Sequence, residues 1–128
     1  MKYLSFNVFK HIFKLLTSIL ICLTFLNFLF AEGFKIAEVK PKIITPASSS
    51  GINDYLIISY DNPNDSNVSG KIITLNGYFV ADMLNNDLSA KITWNGKDDS
   101  GKVVSSGIYI YQIDVEGKVF NGTVVVAK

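Results

Sequence analysis

Beyond residue 31 the chain has no cysteine and no histidine, since Cys22 and His11 both lie upstream, and there is no arginine at any position. Each absence excludes something. Without His or Cys, neither a Ser-His-Asp nor a Cys-His arrangement is possible, and no zinc site with those ligands can form. Without Cys there is no disulfide framework, so a hydrophobic core alone must hold the fold. Three of the twelve lysines (Lys2, Lys10, Lys14) lie before residue 32, so residues 32–128 carry nine lysines against eleven acids (9 − 11 = −2). A mildly acidic segment without a basic stripe argues against nucleic-acid binding, which relies on clustered Lys and Arg to neutralise phosphates. A convincing 3.6-residue apolar period is also lacking after residue 32, which excludes a helical domain.

What is present at the N-terminus is a basic start and an apolar run. Leu15 to Phe30 is interrupted only by Thr17, Ser18, Thr24 and Asn27, and Ala31 precedes Glu32 and Gly33. This matches a secretory signal peptide over residues 1–31, cleaved after Ala31. The competing reading is an uncleaved anchor. A run of 16 residues reaches roughly 24 Å as a helix, short of the ~30 Å hydrocarbon core, unless Lys14 snorkels to the interface. A lipid-modified Cys22 fits less well, because large, branched Ile21 precedes it. The expected location is extracytoplasmic, with membrane contact only through the N-terminal segment if it is not cleaved.

Residues 32–128 read as short strands between turn clusters. Apolar and polar positions largely alternate over Phe34–Val39, and Pro41 and Pro46 confine that strand to an edge. Ile43 and Ile44 form a short extended piece between the prolines. Tyr55–Tyr60 is rich in β-branched and aromatic residues. Asp61–Gly70 (DNPNDSNVSG) reads as a loop. Lys71–Leu75 and Tyr78–Met83 flank Asn76-Gly77, a hairpin signal. Leu84–Ser89 reads as loop. Ala90–Trp94 is a strand, followed by the turn-rich segment 95–102 and by Val103-Val104. Ile108–Val115 is the longest strand, with Tyr109, Tyr111, Ile113 and Val115 on one face. Glu116-Gly117 turns it into Lys118–Ala127, where Gly122 marks a bulge or a close backbone approach. About seven short strands at this spacing predict an all-β sandwich of immunoglobulin type.

One segment carries a resemblance. Trp94-Asn95-Gly96-Lys97-Asp98-Asp99-Ser100-Gly101-Lys102, followed by Ser106-Gly107-Ile108-Tyr109-Ile110-Tyr111, resembles the immunoglobulin-like domain first recognised in the flagellar hook-capping protein. It equally resembles the C-terminal domains of gliding-motility and type IX secreted proteins. Leu75-Asn76-Gly77-Tyr78-Phe79-Val80, and Thr45-Pro46 with Gly51-Ile52-Asn53-Asp54, are similar to further segments of those families. The resemblance spans about residues 43–128. It implies a structural or sorting module that contacts proteins, with Trp94, Asn95, Gly96, Asp98, Gly101, Gly107 and Tyr109 as its motif. Those families carry the domain at the end of a larger protein. This chain departs from that arrangement, which leaves a stand-alone adaptor, a surface subunit or a truncated product.

The motif residues also have a purely structural reading. Trp94 supplies a large apolar ring with one N–H donor. Gly96 and Gly101 allow positive φ, while Asp98, Asp99 and Ser100 hydrogen-bond the loop backbone. Tyr109 buries its ring and turns its hydroxyl to a loop carbonyl. Asp98 and Asp99, or Asn53 and Asp54 with the DNPND loop, offer oxygens to Ca²⁺. Such a site needs six to eight, however, and Ala47–Ser50 thins the carboxylates of the opening segment. No metal ligand, cofactor or catalytic residue is assigned. The expected function is an exported, non-catalytic module making protein contacts in surface, secretion or appendage assembly. The alternative is a carbohydrate-binding module using Tyr55, Tyr60, Tyr78, Phe79 or Phe120, which requires two or more of these rings exposed on one flat face. A hydrolase would need two Asp residues facing each other across a cleft.

Overall fold

Nine strands form among the described residues of 33–128, and their inward positions are almost all Ile, Val, Leu or aromatic. The computed structural model describes residues 6–29, 33–46 and 50–128. The chain separates at Glu32–Gly33 into two compact units. The first contains helix α1 (Phe6–Leu29). Among the described residues no helix is long and apolar enough to cross a membrane. The expected cleavage point at Ala31–Glu32 and the loop residues Ala47–Ser49 lie outside the described residues.

The second unit is a sandwich of two sheets. Strands β1 (Lys35–Lys40), β3 (Leu56–Asp61), β6 (Leu84–Asn86) and β7 (Lys91–Trp94) form one sheet in the order β1-β3-β7-β6. Strands β2 (Ile43–Ile44), β4 (Val68–Thr74), β5 (Phe79–Asp82), β8 (Gly107–Val115) and β9 (Lys118–Val126) form the other, in the order β2-β9-β8-β4-β5. This is the strand order of an immunoglobulin sandwich, with its first strand divided between the sheets. The division falls at Pro41: β1 pairs antiparallel with β3, and β2 then pairs in parallel with β9. Ile44, Leu56, Ile58, Ile72, Ile92, Ile113, Val124 and Val126 are fully buried between the sheets, and no polar or charged residue is buried among the described residues. Every member of the core cluster lies within residues 33–128, so this unit holds its own core.

Two hairpins follow from local chemistry. Gly77 has φ 84°, and Thr74 N–H donates to the Tyr78 carbonyl at 2.8 Å, closing the Asn76-Gly77 turn. Glu116 and Gly117 both have positive φ (53° and 78°), as a two-residue type I′ turn requires. That turn fixes nine consecutive β8–β9 pairs, from Gly107↔Val126 to Val115↔Lys118.

The sequence reading differs from the structure in three places. The strand expected from Lys71 begins at Val68, inside the expected loop, because Val68 pairs with Val115 and is buried. Leu84–Asn86, expected as loop, is strand β6 followed by a single 3₁₀ turn, Asp87–Ser89. Here a half-buried polar residue joins the strands. Asn85 accepts from the Tyr60 hydroxyl at 2.9 Å and donates to the Val68 carbonyl at 2.7 Å, so hydrogen bonding replaces apolar burial. The strand count is accordingly nine, where about seven were expected; the two shortest strands are β2 and β6.

Candidate functional site

The motif segment first builds the end of the sandwich. Trp94 closes β7 opposite Leu56 and is buried. Its indole Nε1 donates to the Lys97 carbonyl at 2.8 Å, which satisfies the one polar atom such a ring brings into a core. Its ring lies 5.6 Å from that of Tyr109, in a tilted pair. The Tyr109 hydroxyl donates to the Ser105 carbonyl at 2.9 Å, tying the start of β8 to the loop before it. Asn95 Oδ1 accepts from the Lys97 amide at 3.1 Å. Gly96 has φ +70°, and a Cβ there would run into the Pro46 ring. Gly107 opens β8 opposite Val126.

Asp98 organises the loop itself. Its Oδ1 accepts from the Ser100 amide at 3.0 Å, the Ser100 hydroxyl at 2.6 Å and the Lys102 amide at 2.9 Å. The Asp98 amide donates to the Lys102 carbonyl, and Gly101, at φ +83°, donates to the Asp98 carbonyl. These donors hold the Asp98 carboxyl below its ordinary value of 3.8, the Ser100 side chain contributing most. Asp99 donates its amide to Val80, and Val104 donates to Gly96, so the loop is sewn to β5 and to the Trp94 turn.

The other acidic segments are likewise used internally. Asn62 donates to the Ser66 carbonyl and accepts from its amide, bracing the DNPND loop. The Asn53 carbonyl accepts from the Thr45 amide. Among the described residues no group of three or more His, Cys, Asp or Glu comes together. Asp82 and Asp114 do line one shallow depression of about 250 Å³, with Lys71 and Gln112. Strand β4 separates them, and their rows differ by two residues, since Asp82 pairs with Lys71 and Asp114 with Ser69. That places their backbones ~12 Å apart on the same face of the sheet, at a shallow depression and not across a cleft.

The aromatic candidates divide. Tyr60 is buried, and Phe120 packs partly against the core. Tyr55 is exposed, just before β3 of the four-stranded sheet. Tyr78 and Phe79 are exposed at the β4–β5 turn of the other sheet.

Phe79 belongs to something larger. On the outer face of the five-stranded sheet, one cross-strand row runs Ile43–Val125–Ile108. The next runs Thr123–Ile110–Ile73–Phe79. Ile43, Ile108 and Phe79 are about half exposed (53, 49 and 51%). Six apolar side chains thus form a continuous outward strip across all five strands. The following row, Asn121–Gln112–Lys71–Asp82, is polar. The sequence reading did not single out this strip. Its signal was there: Ile108–Tyr111 and Val124–Val126 are apolar at consecutive positions, so these strands present apolar side chains to both faces.

No protein-family model matches the chain, and no curated protein matches it in sequence. Among solved structures, the chain is similar to PorZ, described as an essential bacterial surface component of the type IX secretion system of Porphyromonas gingivalis. The TM-score is 0.51 at 19% identity, over 71% of this chain and 11% of that one. The likeness supports the sandwich fold, and the chain corresponds to a small part of that protein's length.

Proposed function

We propose that residues 33–128 act as an extracytoplasmic protein-contact module in surface assembly or secretion. The observation that carries this reading is the apolar strip of Ile43, Val125, Ile108, Ile110, Ile73 and Phe79. Contiguous exposed apolar surface rimmed by polar residues marks a protein or membrane contact more often than a solvated face. A sugar platform needs polar groups around its rings to hold hydroxyls, whereas the neighbours of Phe79 along its row are Ile73 and Ile110. The motif from Trp94 to Tyr109, together with a fold shared with part of a type IX secretion component, favours the gliding-motility and type IX family over an unrelated sandwich. The basic, apolar N-terminal segment is the export signal, and neither catalysis nor a cofactor belongs to this role.

The test uses the 33–128 unit as bait in envelope extracts, beside a Phe79→Ser/Ile108→Ser variant. Both substitutions replace half-exposed side chains, so the denaturation midpoint should change little. A partner retained by the unaltered unit and lost by the variant supports the reading. Equal retention by both moves the contact elsewhere, and binding of a glycan panel through Tyr78 and Phe79 replaces the protein role with a carbohydrate one.

A further inference from the structure

A sheet edge is a row of unpaired N–H and C=O groups unless something covers or blunts it. Other edges of this sandwich are blunted. Strand β1 breaks register between Ile36 and Glu38, carries Lys35, Glu38 and Lys40, and runs into Pro41. Strand β6 has three residues. Strand β5 has four, with a register break at its β4 neighbour. Strand β9 differs. It pairs with β8 along its whole length without a break, and β2 covers its other side only at Val125 and Val126.

The hydrogen bonds to β2 show which groups are left. Val125 and Ala127 donate to the Lys42 and Ile44 carbonyls at 2.9 Å, so odd-numbered residues of β9 turn their amides away from β8. Val119, Asn121 and Thr123 therefore present N–H and C=O groups to an open edge. No strand pairs with them there among the described residues. Their side chains are uncharged. Just inside this edge, Phe120 points inward and packs 5.1 Å from Phe34, both rings only partly buried.

Charge brackets the open run. Lys118 begins it. Lys42 ends it, one residue before the Ile43↔Val125 pair and so level with Val124. Neither lysine makes an ion pair among the described residues. The two stand about 20 Å apart along the edge, the length of an extended heptapeptide. A second copy of this chain fits poorly. Antiparallel pairing over Val119–Thr123 would set Lys118 of one copy beside Lys42 of the other.

We propose that the β9 edge accepts an extended segment of a partner protein by strand addition. That segment has an uncharged, alternately apolar centre of about five residues and an acidic residue at each end. Main-chain hydrogen bonds at Val119, Asn121 and Thr123 hold it, its inward side chains cover Phe34 and Phe120, and its ends pair with Lys42 and Lys118. The proposal rests on the protein-contact reading but uses a surface other than the apolar strip.

Amide hydrogen exchange of the 33–128 unit tests it, with two capped synthetic peptides, ETVTVTE and KTVTVTK, as probes; in the register set by the two lysines their valines lie opposite Phe120 and Gly122 and face inward. The acidic peptide should slow exchange at Val119, Asn121 and Thr123, and should bind about tenfold or more tighter than the basic one. Asn121→Pro removes one outward donor without touching the β8 ladder, so it should abolish the slowing while the fold persists. If that variant unfolds, Lys42→Glu/Lys118→Glu decides, because it should reverse the peptide preference. No slowing at millimolar peptide, equal binding of both peptides, or self-association of the unit through this edge would each overturn the proposal. None of these results touches the strip, whose own variant is Phe79→Ser/Ile108→Ser.

Discussion

Tyr111 lies across Gly122, its cross-strand partner in the β8–β9 pair. A Cβ on Gly122 would overlap the Tyr111 hydroxyl and ring carbons. The glycine therefore serves to let an aromatic ring lie flat on the backbone of the next strand. Burial there raises the Tyr111 phenol above its ordinary value of 10.0. Gly122→Ala should destabilise the domain by ~1–3 kcal/mol through overpacking. Urea denaturation checks this: an unchanged midpoint would mean that the ring has room to move aside.

Trp94→Ala should cost ~3–5 kcal/mol, a large share of a domain's 5–15 kcal/mol. Trp94→Phe keeps most of the ring but loses the Nε1 bond to Lys97, and should cost about 1 kcal/mol from that bond in addition to the smaller ring. Chemical denaturation of the two variants separates packing from hydrogen bonding. A stable Trp94→Ala protein would contradict the core role.

The Asp98 loop sets an acid limit. Its carboxyl is held below 3.8 in the folded chain, so the folded state favours the ionised form. That contribution is fully present above the ordinary value and is lost as pH falls through the depressed one. Denaturation midpoints of the unaltered protein and of Asp98→Asn should converge as pH falls below about 3.8 and differ above it. A gap that does not change with pH would assign the effect to shape alone.

Most of the sandwich was legible because its strands alternate. Leu56–Tyr60 and Tyr109–Val115 place apolar residues at every second position, and Asn76-Gly77 and Glu116-Gly117 fix the turns between strands. Within a strand pattern Gly122 signals a close approach but not its partner, because a cross-strand neighbour is a matter of register. Val68 and Asn85 were misplaced for a related reason. Val68 stands alone among turn residues, and Asn85 is polar; only pairing shows that Val68 is buried opposite Val115 and that Asn85 is half-buried between Tyr60 and the Val68 carbonyl. The motif from Trp94 to Tyr109 was visible as a pattern. The apolar strip was not, because Ile73, Phe79, Ile108 and Val125 come from four strands and meet only once those strands are paired.

The proposed export makes its own prediction. Glu32 is the expected first residue of the mature protein. Intact mass of material recovered outside the cytoplasm should match residues 32–128, and a mass that retains residues 1–31 in the membrane fraction would favour an anchor.

The most direct measurement of the contact face is site-specific photocross-linking in intact cells. A photoreactive side chain replaces Phe79 in one protein and Asn86, on the four-stranded sheet, in another. Position 79 should give an adduct of defined mass, and position 86 should give none. No adduct from position 79, or the same adducts from both positions, would contradict that contact face.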